Sequence, residues 1–165
     1  MEKGIVVSKL RNRFGVDSEE IIQQYLPILG VKPSRRSYER YRRMGELSPD
    51  LFEAVCHAGL LENTALRLAD WQQKERRPVV ETIGRCRLGT NKQKRLVDLI
   101  EQLKSSTGLN VLDLWKKSGI ADLIDDSTVK SSEHYAQIID RLRRLRYPTL
   151  SAYEEKFRQL SSSLN

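Results

Sequence analysis

The chain has 165 residues, 39% of them hydrophobic and 31% charged, with 29 Lys+Arg against 22 Asp+Glu and a formal charge of +7. That apolar share suffices for a buried core and excludes disorder throughout, while 7% aromatics, nine Gly and five Pro provide little material for a β-rich protein. No uncharged run approaches the roughly twenty apolar residues of a membrane span, and Cys56 and Cys86 match no zinc, redox or disulfide-framework spacing.

Ile5, Val6, Val7, Leu10 and Phe14 lie near helical spacing ahead of Gly15, which predicts a first helix over 3–13. Asp17-Ser-Glu-Glu20 has capping-box spacing, and Ile21, Ile22, Tyr25 and Leu26 continue it as an apolar stripe. Pro27 should kink or stop that helix, and Gly30 to Pro33 reads as a turn. Ser34 is placed to cap a helix through Met44 ended by Gly45, with Tyr38, Tyr41 and Met44 inward and five arginines outward. Ser48-Pro49 opens the next helix, whose Leu51, Phe52, Val55 and Cys56 form a stripe closed by Gly59. In that stripe Cys56 reads as a buried structural thiol.

Asn63 is expected to cap the following helix, and Pro78 to stand in the first turn of one carrying Val79, Val80 and Ile83. From Thr90, Leu96, Leu99, Ile100 and Leu103 repeat at i, i+3, i+4, i+7 as an amphipathic helix requires. Asn110 caps a short helix with Val111, Leu114 and Trp115, and Asp122 to Asp126 reads as a loop or brief turn. Tyr135, Ile138, Ile139, Leu142 and Leu145 make another stripe stopped by Pro148, and Ser151 opens a last helix with Phe157, Leu160 and Leu164. No stretch alternates with period two for long enough to make a strand. The predicted class is all-α: a multi-helix domain over 1–104 containing a helix-turn-helix, then a C-terminal helical extension over 105–165 that packs on it or mediates dimerisation.

The charge is regional. Residues 32–95 carry 15 Lys+Arg against 8 Asp+Glu, and residues 96–140 carry 4 against 8. A basic block beside an acidic one attracts a polyanion to one face; the plainer reading is a solvated, arginine-rich surface. His57 and His134 are the only histidines and neither stands in a catalytic arrangement, and no HExxH, Walker A, GxGxxG or EF-hand pattern occurs. The expectation is therefore a protein that is not an enzyme, with no catalytic residue, metal or cofactor.

Duplex DNA binding needs a helix for the major groove, arginines that reach guanine edges or phosphates, and a bracing helix. Residues 17–45 supply all three. On this reading Arg35, Arg36 and Arg40 face base edges or phosphates, and Lys32, Ser34 and Ser37 position the backbone. Arg42, Arg43, Lys92, Lys94 and Arg95 add salt-sensitive attraction to phosphate. The alternative is a helical protein-interaction module whose basic face binds an acidic partner. RNA binding ranks third, because no RNP, KH or stacking platform is visible.

The segment SRRSYERYRRMGELSPDLFEAVCHAGLLENTALRLADW, residues 34–71, resembles the helix-turn-helix domain of ParB-type partition proteins. The resemblance rests on Ser34 to Tyr41, on the bend Leu47-Ser-Pro49, on Val55 to Gly59 and on the Ala65-x-x-Leu68 core, and extends over roughly 17–100. It implies an all-helical domain that binds double-stranded DNA, often as a homodimer, in chromosome or plasmid segregation or in transcription control. The N-terminus MEKGIVVSKLRNRFG lacks the apolar core of a signal peptide, so a cytoplasmic location is expected, at the nucleoid if the resemblance holds, and no membrane partner is expected. This sequence departs from the family in placing Pro27 and Pro33 on either side of Gly30, and it lacks the family's Gly-Glu-Arg-Arg motif, so no nucleotide site is assigned.

Overall fold

The computed structural model describes residues 1–125 and 131–145, and among them ten helices and no strand occur. The all-α class is as the sequence predicts. The chain divides into two compact units at Gln72 and Gln73, within the span 1–104 read from the sequence as one domain. No helix among the described residues is long and apolar enough to cross a membrane.

The first unit begins with α1, Glu2–Asn12, of which Val7 is buried and Leu10 partly so. Val6 and Phe14, which share the near-helical spacing, are exposed. The residue that carries the packing instead is Gly4, which the stripe of large side chains did not suggest.

Helix α2 spans 18–28. Asp17 caps it as expected, its carboxylate accepting from the Glu19 amide at 2.8 Å. The helix ends at Ile28, one residue beyond Pro27. A π turn over Ile21–Tyr25, in which the Leu26 amide donates to the Ile21 carbonyl, widens the helix ahead of the proline. Pro27 then stands at the start of the closing turn Leu26–Ile28, where a missing N–H is tolerated. Ile21, Ile22 and Leu26 join Val7 and Tyr38 in the core of this unit.

Helix α3, Arg35–Gly45, follows the turn, then α4, Pro49–His57, and α5, Glu62–Leu68. Gly45 is the last residue of α3, ending it as expected, and Glu46 is the C-cap. Pro49 occupies the first turn of α4 as expected, and the buried face of that helix is Leu51 and Ala54. Cys56 is exposed, against expectation, because a residue five positions beyond Leu51 lies well round the helix from that face. Leu61, not Asn63, is the N-cap of α5, and it makes no side-chain cap hydrogen bond.

In the second unit α6, Gln73–Arg85, begins five residues ahead of Pro78, so the proline is interior and not in the first turn. Tertiary contacts hold the added turn. Buried Glu75 accepts from the Lys104 ammonium at 3.2 Å and from the Val111 amide at 3.4 Å, tying α6 to α7, Thr90–Thr107, and to α8, Val111–Ser118. Leu96, Leu99, Ile100 and Leu103 are buried on α7 as their spacing predicts, and the Asn110 carboxamide caps α8 through the Asp113 amide at 2.9 Å. Asp122 to Asp125 lie in α9, Ile120–Asp125, where a loop or brief turn was expected: Ile120 and Leu123 are buried one turn apart and Asp122 faces out, while Asp126 lies outside the described residues. Helix α10, Ser131–Leu145, buries Tyr135, Ile138, Ile139 and Leu142. Each such side chain contributes about 1.5–3 kcal/mol when fully buried. The expected stop at Pro148 and the helix opened by Ser151 lie outside the described residues.

Candidate nucleic-acid interface

The interface predicted from sequence starts where α2 ends. Gly30 takes a left-handed φ of +65°, and the Val31 amide reaches the Leu26 carbonyl while the Gly30 amide reaches that of Pro27, both at 2.9 Å. This is a Schellman end, and it delivers exposed Lys32 and Pro33 directly before α3. Ser34 is extended, and its Oγ accepts from the Ser37 amide at 3.1 Å and donates to the Ser37 hydroxyl at 2.8 Å. Both serines are thus engaged in the cap.

One side of α3 is buried: Tyr38 and Met44 are 3% and 0% exposed and Tyr41 is partly covered. The brace on that side is principally α1. The approach of the two helices is set by glycine, since a Cβ on Gly4 would lie 2.9 Å from the Met44 Cβ and 3.0 Å from the Tyr41 carbonyl.

The outer side of α3 divides into two rows. Arg35, Glu39, Arg42 and Glu46 repeat at i, i+4, i+7, i+11 and form an ion-pair ladder along the helix. Arg35 pairs with Glu39 at 3.2 Å, and Arg42 bridges Glu39 at 3.1 Å and Glu46 at 2.7 Å. Arg35 also donates to the Ser18 hydroxyl and lies over the Tyr38 ring at 5.4 Å. The hydrogen bond to Glu39 and the fields of both carboxylates push Arg42 above its ordinary pKa despite some desolvation.

Arg36, Arg40 and Arg43 form the second row at i, i+4, i+7. Arg36 is exposed and has no hydrogen bond or ion pair among the described residues. Arg40 meets Glu62 at 3.3 Å and lies 6.0 Å over the Tyr41 ring. Glu62 also accepts from the Met1 amino group at 2.9 Å. Arg43 meets Asp70 at 2.9 Å and donates to the Leu66 carbonyl at 3.1 Å. The Arg40 and Arg43 side chains are each 44% exposed, and pairs this open to water contribute about 0–1 kcal/mol to stability.

The chain matches no family model, no curated protein and no solved structure.

The remaining predicted residues, Lys92, Lys94 and Arg95, stand exposed in the first turns of α7, in the second unit. Lys92 lies over the Tyr135 ring at 5.1 Å. Its field opposes the burial that pushes the Cys86 thiol pKa up, as the fields of Arg95 and Arg143 oppose the rise that burial imposes on Tyr135. Among the described residues no three His, Cys, Asp or Glu side chains come together as a metal site.

Sequence reasoning missed the carboxylates. Glu39 and Glu46 are legible, being three or four positions from Arg35 and Arg42 on one helix. Glu62 and Asp70 are not, because they stand 22 and 27 residues beyond the arginines they meet.

Proposed function

We propose that this chain binds double-stranded DNA through α3, as a helix-turn-helix protein of the ParB-like partition or transcription-control type. One observation carries the reading: the row Arg36, Arg40, Arg43 lies along the outer side of a capped, well-braced helix, and its N-terminal member has no ion pair among the described residues. A recognition helix presents its first residues to base edges, and arginine is the side chain best suited to guanine O6 and N7. Arg36 is the residue for that contact. Arg40 and Arg43 extend the row, and the residues of the ladder hold the helix in shape beside it. Lys32, Lys92, Lys94 and Arg95 add phosphate attraction that weakens with salt. The ParB-type resemblance over 34–71 supports the same reading, and with it a homodimer acting at the nucleoid.

A second reading has its own support. Arg40 and Arg43 already rest against carboxylates, the chemistry by which a basic helix would bind an acidic protein surface. Salt titration does not separate the two, because any polyanion gives a slope.

Repeated selection from random duplex DNA at near-physiological salt, followed by sequencing, does separate them. The DNA reading expects an enriched motif, a palindrome if the protein pairs. Retention without enrichment would reduce the function to electrostatic attraction, and no retention would favour the acidic protein partner.

A further inference from the structure

We propose that Asp70 and Glu62 are positioning residues for DNA reading: each holds one arginine of the α3 row by a single guanidinium nitrogen and thereby fixes which edge faces the bases. This inference rests on the reading of α3 as the recognition helix.

The two rows of α3 use their arginines differently. Arg42 engages Nε with Glu39 and Nη1 with Glu46, and Arg35 engages Nη2 with Glu39 and Nη1 with Ser18. Each ladder arginine is occupied through two nitrogens. Arg43, by contrast, makes all its bonds through Nη2, to the two Asp70 oxygens at 2.9 and 3.0 Å and to the Leu66 carbonyl at 3.1 Å. Arg40 likewise uses Nη2 alone, toward Glu62 at 3.3 Å. Nε and Nη1 of both arginines have no partner among the described residues, so each guanidinium is anchored yet keeps donors to offer.

An anchored arginine meets its target with less rotamer freedom left to lose. The anchors also carry negative charge beside the proposed DNA surface. Asp70 is 73% exposed on its side chain, and its carboxylate repels phosphate of any sequence. Both effects act in one direction: the acids lower affinity for duplex in general and favour a sequence whose bases satisfy the pre-aimed arginines. The discrimination is a difference of affinities, raised by weakening the wrong complex as well as by strengthening the right one.

The test is the ratio of affinities for the selected sequence and for random duplex. Asp70→Asn is the cleaner variant, because Glu62 also meets the Met1 amino group; Glu62→Gln is its companion. Each is expected to raise random-duplex binding and to lower the ratio by about fivefold or more, the lower end of what one well-placed arginine–guanine pair contributes. Asp70→Glu, which keeps the carboxylate, should restore the ratio at least in part. Melting curves on the same samples report folding separately. An unchanged ratio in a folded Asp70→Asn protein would overturn the inference, as would an Asp70→Glu variant that recovers the melting temperature and not the ratio. A wild-type chain that selects no sequence would remove the recognition helix itself, and this inference with it.

Discussion

Gly4 and Gly45 meet at the crossing of α1 and α3, so closely that a Cβ on Gly45 would collide with the Gly4 carbonyl and lie 2.5 Å from the Ser8 Cβ. The obstructing atoms are backbone and the root of a side chain, neither of which moves cheaply. The basic helix owes its seat to this pair. Alanine within a helix is ordinarily more stable than glycine by about 0.5–1 kcal/mol. Here the sign should reverse: Gly45→Ala is expected to destabilise the protein by about 1–3 kcal/mol, as overpacking does, and chemical denaturation measures it. A neutral or stabilising result would mean that the helices are not in contact at this point.

Arg87 stands where glycine is expected. The Leu88 amide reaches the Ile83 carbonyl at 3.1 Å and the Arg87 amide that of Gly84 at 3.2 Å, so α6 ends in a Schellman turn with Arg87 at its left-handed position, φ +46°. The side chain is exposed and nothing in the structure explains the choice of arginine there. Arg87→Gly is expected to raise stability by about 0.5–1 kcal/mol, read as a shift of the denaturation midpoint at constant slope.

The buried Cys86 and Tyr135 side chains set an alkaline limit. Burial raises both pKa values above their ordinary 9.0 and 10.0, against the opposing fields of Lys92 for the thiol and of Arg95 and Arg143 for the phenol. A raised folded-state pKa means that the stability it contributes is fully present below the unfolded value and is lost as pH rises through the folded one. Melting temperature should therefore hold to about pH 9 and fall beyond it. Thiol titration provides a companion measurement: exposed Cys56 should react at once in the native protein, and Cys86 only when the protein is unfolded.

Where local chemistry decided the outcome, the sequence was legible. Ser34, Asp17 and Asn110 cap the helices they were expected to cap, and the stripe Leu96 to Leu103 is buried as its period requires. Distant contacts decided the rest. Pro78 sits inside a helix because Glu75, in the added turn, is held by Lys104 and the Val111 amide. Pro27 is passed by a π turn that no residue type announces. Gly45 reads locally as a helix stop and is the last residue of α3, but only the approach of Gly4, forty-one positions earlier, shows why no side chain fits there. At the interface the arginines were legible and half of their partners were not, since Glu62 and Asp70 belong to α5 and the turn after it.

The most direct test of the account is Arg36→Ala, assayed against the duplex sequence that the wild-type chain selects. Arg36 is exposed, outside the core and without an ion pair among the described residues, so the folded state should be unaffected and any effect should be one of recognition. The account expects a loss of about 1–3 kcal/mol in affinity for the selected sequence, with discrimination relaxed at one base pair and little change on random duplex. An Arg36→Ala protein that keeps both its affinity and its sequence preference would contradict the assignment of α3 as the helix that reads DNA.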